Sequence, residues 1–304
     1  MKKFFIRGAI FIAILWLIVT LSMNYVSGKV RELNGPNYEE QIRISFDGVT
    51  SDYYETIALG NSRIYRGINP YKLDSNAYNF SHDNDSFNQI YYKLLYLKKI
   101  NKLPKEILMG VDYFQFSVFS DTRNHVYKKY FEGGYMKDYD LDLNTSFSNY
   151  MTFTQNRINL WLEWIQGLKE YNMEEVPYMT DRGQYVLYGM AKENEKVTRE
   201  STVLPLQQKY FDKILEFCED NNIKINMIMM PTRTNELESY SEETIKKFDD
   251  YFKSKENENV RYLNFARDSR FVLEDYQDKT HLNKEGADKF SEILNEALSE
   301  SLNP

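Results

Sequence analysis

Two short stretches at opposite ends of the sequence hold the residue types that acyl chemistry needs. Gly60–Asn61–Ser62–Arg63 follows directly on the apolar run YETIAL at 54–59, and Asp278–Lys279–Thr280–His281 stands just ahead of the last amphipathic stretch. A serine hydroxyl is a weak nucleophile until a base within hydrogen-bond reach takes its proton. A carboxylate three residues before a histidine can reach back to its Nδ1 within one loop. That bond fixes the tautomer and leaves Nε2 free to accept the serine proton. Each stretch alone has an ordinary reading: G-N-S after a strand is also a turn or a helix-capping serine, and a loop histidine can simply bond its local aspartate. Taken together and in this order, they point to Ser62 as nucleophile, His281 as base and Asp278 as its orienting carboxylate.

Other residues have weaker claims. Arg63 and Arg66 follow the serine and could hold a polar group of an acyl donor or acceptor, or equally stand in solvent; Arg233 has a similar, lesser claim. His82 and His125 lie in polar segments and are expected at the surface. The three histidines show no His/Cys ligand spacing, so neither a metal nor another cofactor is expected. The single cysteine, Cys218, shares an apolar helical face with Phe211, Ile214 and Leu215 and is expected as a buried thiol.

The elements that must position these residues alternate. The strand at 54–59 stops at Gly60. Phe87, Ile90, Tyr91, Leu94, Leu95 and Leu97 then fall at helical spacing, and Pro104 closes that helix. A second strand begins at 107–109 and ends in Gly110–Val111–Asp112. Tyr210, Phe211, Ile214, Leu215 and Cys218 mark a helix after Pro205, and IKINMIMM at 223–230 is the most strand-like run. A helix at 241–252, a strand at 260–265 and a last helix at 283–298 complete the series. Such alternation predicts an α/β fold, a parallel sheet covered by helices on both faces, with ligands bound outside the carboxyl ends of the strands. Residues 114–200 break the pattern. They read as a mostly helical, aromatic-rich insertion that caps or widens the site, with one amphipathic helix (Ile158, Leu160, Trp161, Trp164, Ile165, Leu168). Its aromatics are expected mainly in core packing, with stacking on sugar rings as the alternative.

The first residues are of another kind. Lys2, Lys3 and Arg7 precede an uncharged apolar run at 8–26. About 20 such residues span the hydrocarbon core, and the flanking cations keep that end in the cytoplasm. A cleaved signal peptide has the same layout, but with a shorter apolar stretch and a cleaner cleavage site than this chain offers. The expected organisation is a signal-anchor helix at 1–28, a polar stalk at 29–52 and a catalytic domain at 53–304 outside the cytoplasm. Three of the 38 Lys and Arg lie in the anchor, which leaves 35 cations against 45 acidic residues beyond it. A surplus of about ten negative charges argues against nucleic acid as a partner.

GNSR after the first strand and DKTHLNKEGADKF before the last helix resemble the first and last conserved blocks of the SGNH superfamily, also called GDSL hydrolases. LGNSRIYRGINP, LMGVDYF, MIMMPTR and THLNKEGADKFSEIL are similar to its membrane-anchored branch. That branch includes the D-alanyl transfer protein of teichoic acid synthesis and the acetylation proteins of alginate and bacterial cellulose. The similarity spans roughly 54–298, with the insertion poorly matched. It implies a flavodoxin-like three-layer fold and the roles given above for Ser62, His281 and Asp278. It also implies an oxyanion hole built from the Ser62 backbone N–H, a glycine and an asparagine in a G-x-N pattern. The matching segment here is Gly110–Val111–Asp112, and an ionised aspartate cannot donate to an oxyanion. Asn61, Gly110, Asp112 and Arg63 remain candidates for that region, with Asn84, Asn79 and Asn88 as further polar donors.

The resemblance implies O-acyl transfer, with acetyl the expected group, onto an extracytoplasmic polysaccharide through an acyl-serine. A membrane-bound O-acyltransferase would be the partner. D-alanyl transfer to teichoic acid, a surface carbohydrate esterase and a non-catalytic glycan-binding scaffold are the alternatives.

Overall fold

The computed structural model describes residues 2–120, 123–132, 134–135, 137, 155, 158–159, 161–162, 175–193 and 195–299. The chain divides into two compact units, residues 1–37 with 141–176 and residues 38–140 with 177–304.

The first unit holds helix α1 (Lys2–Asn34), of which Lys3–Val26 is long and apolar enough to cross a membrane. Its large side chains face outward, Phe11 at 66% and Trp16 at 70% exposure. At 1.5 Å per residue the apolar segment extends roughly 36 Å, somewhat more than a hydrocarbon core of about 30 Å. Most of the amphipathic helix expected around 158–168 lies outside the described residues. Of its described members, Trp161 donates its indole N–H to Ser22 Oγ on α1 at 2.7 Å.

The second unit begins with helix α2 (Tyr38–Ser51), where a polar stalk was expected. The polar composition of 29–52 concealed a 3.6-residue period: Ile42, Phe46 and Val49 fall on one face and are buried. Phe46 stacks on Tyr130 with centroids 3.8 Å apart and meets Phe80 edge-on at 4.8 Å. This segment is thus part of the folded unit.

The unit's main sheet has five parallel strands in the order β2-β1-β3-β6-β7. They are β1 (Thr56–Leu59), β2 (Ala77–Asn79), β3 (Glu106–Val111), β6 (Lys224–Met229) and β7 (Val260–Asn264); β4 (Tyr178–Met179) and β5 (Tyr185–Val186) form a separate antiparallel pair. From β1 the chain steps outward to β2, then returns past β1 and builds the other side. The reversal leaves a crevice at the carboxyl ends of β1 and β3, where open α/β sheets bind ligands. The expected α/β architecture with a flavodoxin-like strand order is therefore the observed one.

Among the described residues α2 is followed by the helices α3 (Ser62–Gly67), α4 (Phe87–Lys99), α5 (Asn124–Tyr127), α6 (Pro205–Asp220), α7 (Thr234–Leu237), α8 (Glu242–Lys253) and α9 (Lys284–Ser299). α3 and α9 cover one face, where Ile64, Ile68, Ala287, Phe290 and Leu294 pack on Ala58, Leu108 and Ile228. α4 and α6 pack together elsewhere in the unit through Phe87 and Phe211, 5.0 Å apart. Cys218 is buried on α6, as its neighbours implied.

α3 can approach the sheet because two glycines lie beneath it. A Cβ on Gly60 would stand 2.6 Å from Ile64 Cγ1, and one on Gly110 only 2.3 Å from the same atom. Gly110→Ala should therefore cost about 1–3 kcal/mol by overpacking. Combined with Ile64→Ala, it should cost less than the two changes summed, because the clash has been removed. Denaturant unfolding of the four proteins in detergent checks the sign of the coupling.

Candidate active site

Ser62 is the first residue of α3 and stands at the carboxyl end of β1. Asn61 caps the helix, its side-chain oxygen accepting from Arg63 N at 2.9 Å. His281 and Asp278 come from the loop ahead of α9. Ser62 Oγ lies 2.7 Å from His281 Nε2, and His281 Nδ1 lies 2.8 Å from Asp278 Oδ2. Three residues from the two ends of the chain thus form one hydrogen-bonded line. Asn283 fixes their loop by donating to Gly189 O at 3.0 Å and Glu274 O at 2.6 Å.

The electrostatics suit proton transfer. Asp278 Oδ1 accepts from the backbone N–H of Thr280 at 2.8 Å and of His281 at 3.0 Å. Burial pushes this carboxyl up, but the His281 ring and the two amides outweigh it and hold it well below the usual carboxylate range. Burial lowers the affinity of His281 for a second proton. Asp278 opposes this, Arg66 adds to it, and the net shift is downward. That direction favours the uncharged imidazole, and with its proton on Nδ1, directed at Asp278, Nε2 can accept from the serine.

The other expected site residues are arranged differently. Asp112 is buried and accepts from Asn61 Nδ2 at 2.7 Å and Arg63 Nη1 at 2.6 Å. Burial raises its proton affinity, Arg63 and Asn61 oppose that, and the net shift is upward; each of its two oxygens nevertheless already takes a donor. Asp112 is therefore an acceptor. Asn61 also donates to Gln115 Oε1 at 2.7 Å, so both its donors point into the same network. Arg63 is no substrate ligand. It is 4% exposed, donates to Pro231 O and Thr232 Oγ1 at 3.0 and 2.8 Å, and lies 3.7 Å from Glu236. Gly110 is accounted for by the packing of Ile64. Asn79 donates to the carbonyls of Ile64, Tyr65 and Ile68, tying off the end of α3. Asn88 is buried and accepts from Ser86 Oγ. Asn84 alone of the three stays exposed, in a left-handed turn with φ 58°. Arg233 is held by Glu195 at 3.1 Å and reaches the carbonyl of Asp278 at 3.4 Å.

His82 is buried rather than at the surface. Its Nδ1 lies 2.8 Å from Lys93 Nζ and 3.0 Å from Tyr127 Oη. Lys93, itself fully buried, also bonds Phe80 O and Asp85 Oδ2, each at 2.5 Å. Burial pushes the Lys93 ammonium down to about 8. The polar look of YNFSHDND misled because its charges turn inward and pair. The side chain of His125 lies outside the described residues. Sequence reasoning also missed Asp83, which binds Arg66 at 3.0 Å, and Gln184 of the insertion, which donates to Arg66 O at 3.0 Å. The run His82–Asp85 held a signal for the first, and nothing marked the second.

A groove of about 920 Å³ opens at the carboxyl ends of β6 and β7, between residues 232–242 and 266–276. Leu237, Phe271 and Tyr276 supply apolar surface, while Thr234, Asn235 and Ser269 supply polar groups. Arg233 lines it and links it to Asp278.

Comparison with known proteins adds little beyond this. A protein-family model matches residues 168–303, which include Asp278 and His281 but not Ser62. No curated protein matches the chain. Among solved structures, a GDSL-like lipase from Bacteroides thetaiotaomicron is 9% identical, covers 87% of this chain and 100% of its own, and superposes with a TM-score of 0.41. A lipase from a goat rumen metagenome is 13% identical, covers 80% of this chain and 96% of its own, with a TM-score of 0.35. At those scores the superpositions carry no weight, and the fold rests on the chain's own strand order.

The Asp112 assignment has a direct test. Asp112→Ala leaves a buried Arg63 short of a partner, so stability should fall by about 3–5 kcal/mol in denaturant unfolding. An oxyanion-hole residue would instead leave stability unchanged and lower only turnover.

Proposed function

We propose that this protein is a serine-dependent acyltransferase of the SGNH/GDSL type, held at a membrane, that O-acylates an extracytoplasmic polysaccharide. The observation that carries this reading is the Ser62–His281–Asp278 line, with contacts of 2.7 and 2.8 Å at the carboxyl edge of a parallel sheet. In the first half-reaction Ser62 Oγ attacks the acyl carbonyl carbon while His281 Nε2 takes the serine proton. The donor's alcohol leaves with that proton, and Ser62 carries the acyl group as an ester. In the second, a sugar hydroxyl gives its proton to Nε2 and attacks the ester, and the proton returns to Ser62 Oγ as the acylated sugar departs. Asp278 holds Nδ1–H throughout and stabilises each imidazolium. The Ser62 backbone N–H, at the start of α3, is the donor assigned to the oxyanion.

The helix Lys3–Val26 supports a membrane-held enzyme supplied by a membrane-bound O-acyltransferase. Tethering raises the effective concentration of donor and acceptor without any new contact. The groove that Arg233 links to the Asp278 carbonyl offers an extended acceptor a bed of apolar and charged surface, with Leu237, Phe271 and Tyr276 beside Glu238, Arg267 and Asp268. Acetyl is the acyl group expected.

Two experiments test this reading. Ser62→Ala should abolish O-acylation of the surface polymer while leaving folding and membrane fractionation intact; His281→Ala and Asp278→Ala should cause similar losses, since such units are strongly non-additive. Cells carrying Ser62→Ala with more O-acyl groups than wild type would mark a deacylating esterase, and unchanged acylation a non-catalytic scaffold. Separately, the full chain should sediment with membranes, its bulk open to protease from outside. A soluble mature form lacking residues 1–28 would contradict the anchor.

A further inference from the structure

Arg66 lies one helical turn after Ser62 on α3, so the two side chains share a face. Its Nη1 stands 2.9 Å from His281 Nδ1 and its Nη2 3.0 Å from Asp83 Oδ2. Yet Nδ1 already faces Asp278 Oδ2 at 2.8 Å. A guanidinium has only donors, and an imidazole nitrogen that carries a proton cannot accept in the ring plane. With the proton on Nδ1, Asp278 accepts it and Arg66 makes a bare charge contact. With the proton on Nε2, Arg66 would donate to Nδ1, and Ser62 would lose its base. The two neighbours therefore favour opposite tautomers.

Arg66 is firmly held in this position. Its carbonyl accepts from Gln184 Nε2 at 3.0 Å, and its partner Asp83 is backed by Arg123, with Nη2 3.7 Å from Oδ2 and Nη1 donating to the Asp83 carbonyl. The loop carrying Asp83 is pinned by Lys93 through Phe80 O and Asp85. Arg66 and Asp83 are only 16% and 21% exposed, so solvent screens the contact weakly. The charged groups facing the imidazole are Asp278 from its own loop, Arg66 from α3 and Asp83 from the loop after β2.

We propose that Arg66 is a positioning residue for the triad: clamped by Asp83, its guanidinium presses on the Nδ1 edge of His281 and makes the imidazolium formed in each half-reaction a short-lived proton carrier. Asp278 alone would favour the imidazolium and slow its release of the proton to the leaving alcohol. Arg66 offsets that attraction, and Asp83 limits the offset. The downward shift of His281, to which Arg66 contributes after burial, agrees in sign.

This inference rests on the reading of His281 as the base, but its test does not need turnover. The full chain, in detergent and with isotope-labelled histidine, is titrated by NMR, and the His281 signal is assigned by its loss in His281→Ala. Removing the cation with Arg66→Met should raise the His281 midpoint by about one pH unit, the scale of a like charge at contact distance. Arg66→Lys should recover most of the difference, and Asp83→Asn should move the midpoint down. The acid limb of Ser62-dependent hydrolysis of an activated ester should follow the same three shifts. An unchanged midpoint in Arg66→Met, or shifts of one sign in both Arg66→Met and Asp83→Asn, would overturn the proposal. Wild-type protein with no Ser62-dependent turnover would instead count against the acyltransferase reading, and the titration would still decide the role of Arg66.

Discussion

The guanidinium of Arg63 has to be satisfied inside the protein, and much of the site's geometry follows from how that is done. A lone buried cation costs several kcal/mol, so it persists only where partners converge on it. Here they come from three places: Asp112 at the end of β3, Pro231 and Thr232 beyond β6, and Glu236 on α7. Glu236 is in turn bound by Arg199 at 2.9 Å. One side chain next to Ser62 thereby ties together the loops that follow two neighbouring strands. Ser62 stands on top of this buried charge network, which fixes where its hydroxyl points.

The same short helix meets a steric demand on its other side. Ile64 sits directly over Gly60 and Gly110, and neither position has room for a Cβ. The glycines lie at the ends of β1 and β3, the two strands between which the chain reverses direction. The crevice of the sheet, the turn that presents the serine and the ion pair beneath it all share these few residues. A change at any of them should therefore move Ser62 as well as the fold.

Much of this was legible in the sequence. Strands β1, β3, β6 and β7 showed as short strand-like runs and the helices between them by their spacing, and the D-x-x-H and G-N-S stretches named residues that the fold brings within 2.7 Å. What stayed hidden had physical reasons. β2 has only three residues and lies in a polar stretch, too short for a period to show. α2 buries one narrow stripe in a segment whose average is polar. The roles given to Asn61, Arg63 and Asp112 failed because sequence shows charge but not direction. All three carry the right chemistry near the right residue, and all three point down into the protein. His82 failed for the converse reason: a polar neighbourhood reads as surface until Lys93, Asp85 and Tyr127 are seen to close around it.

The two arginines that follow the serine show how position on one helix separates structure from chemistry. Arg63, one residue on, points into the interior, where its charge is matched by carboxylates and serves the fold. Arg66, four residues on, returns to the face of Ser62, where its charge meets the imidazole. The proposed acyl-transfer cycle asks His281 to take and release a proton twice, and a base serves both steps best when its proton affinity lies near the working pH. Asp278 by itself pulls that affinity up and burial pulls it down. A clamped cation at Nδ1 gives the fold a third influence on that affinity, felt at Nε2 and Ser62 through the imidazole ring. In that proposal the Asp83–Arg66 pair acts on the reaction through the imidazole, by how readily the ring holds its proton and on which nitrogen.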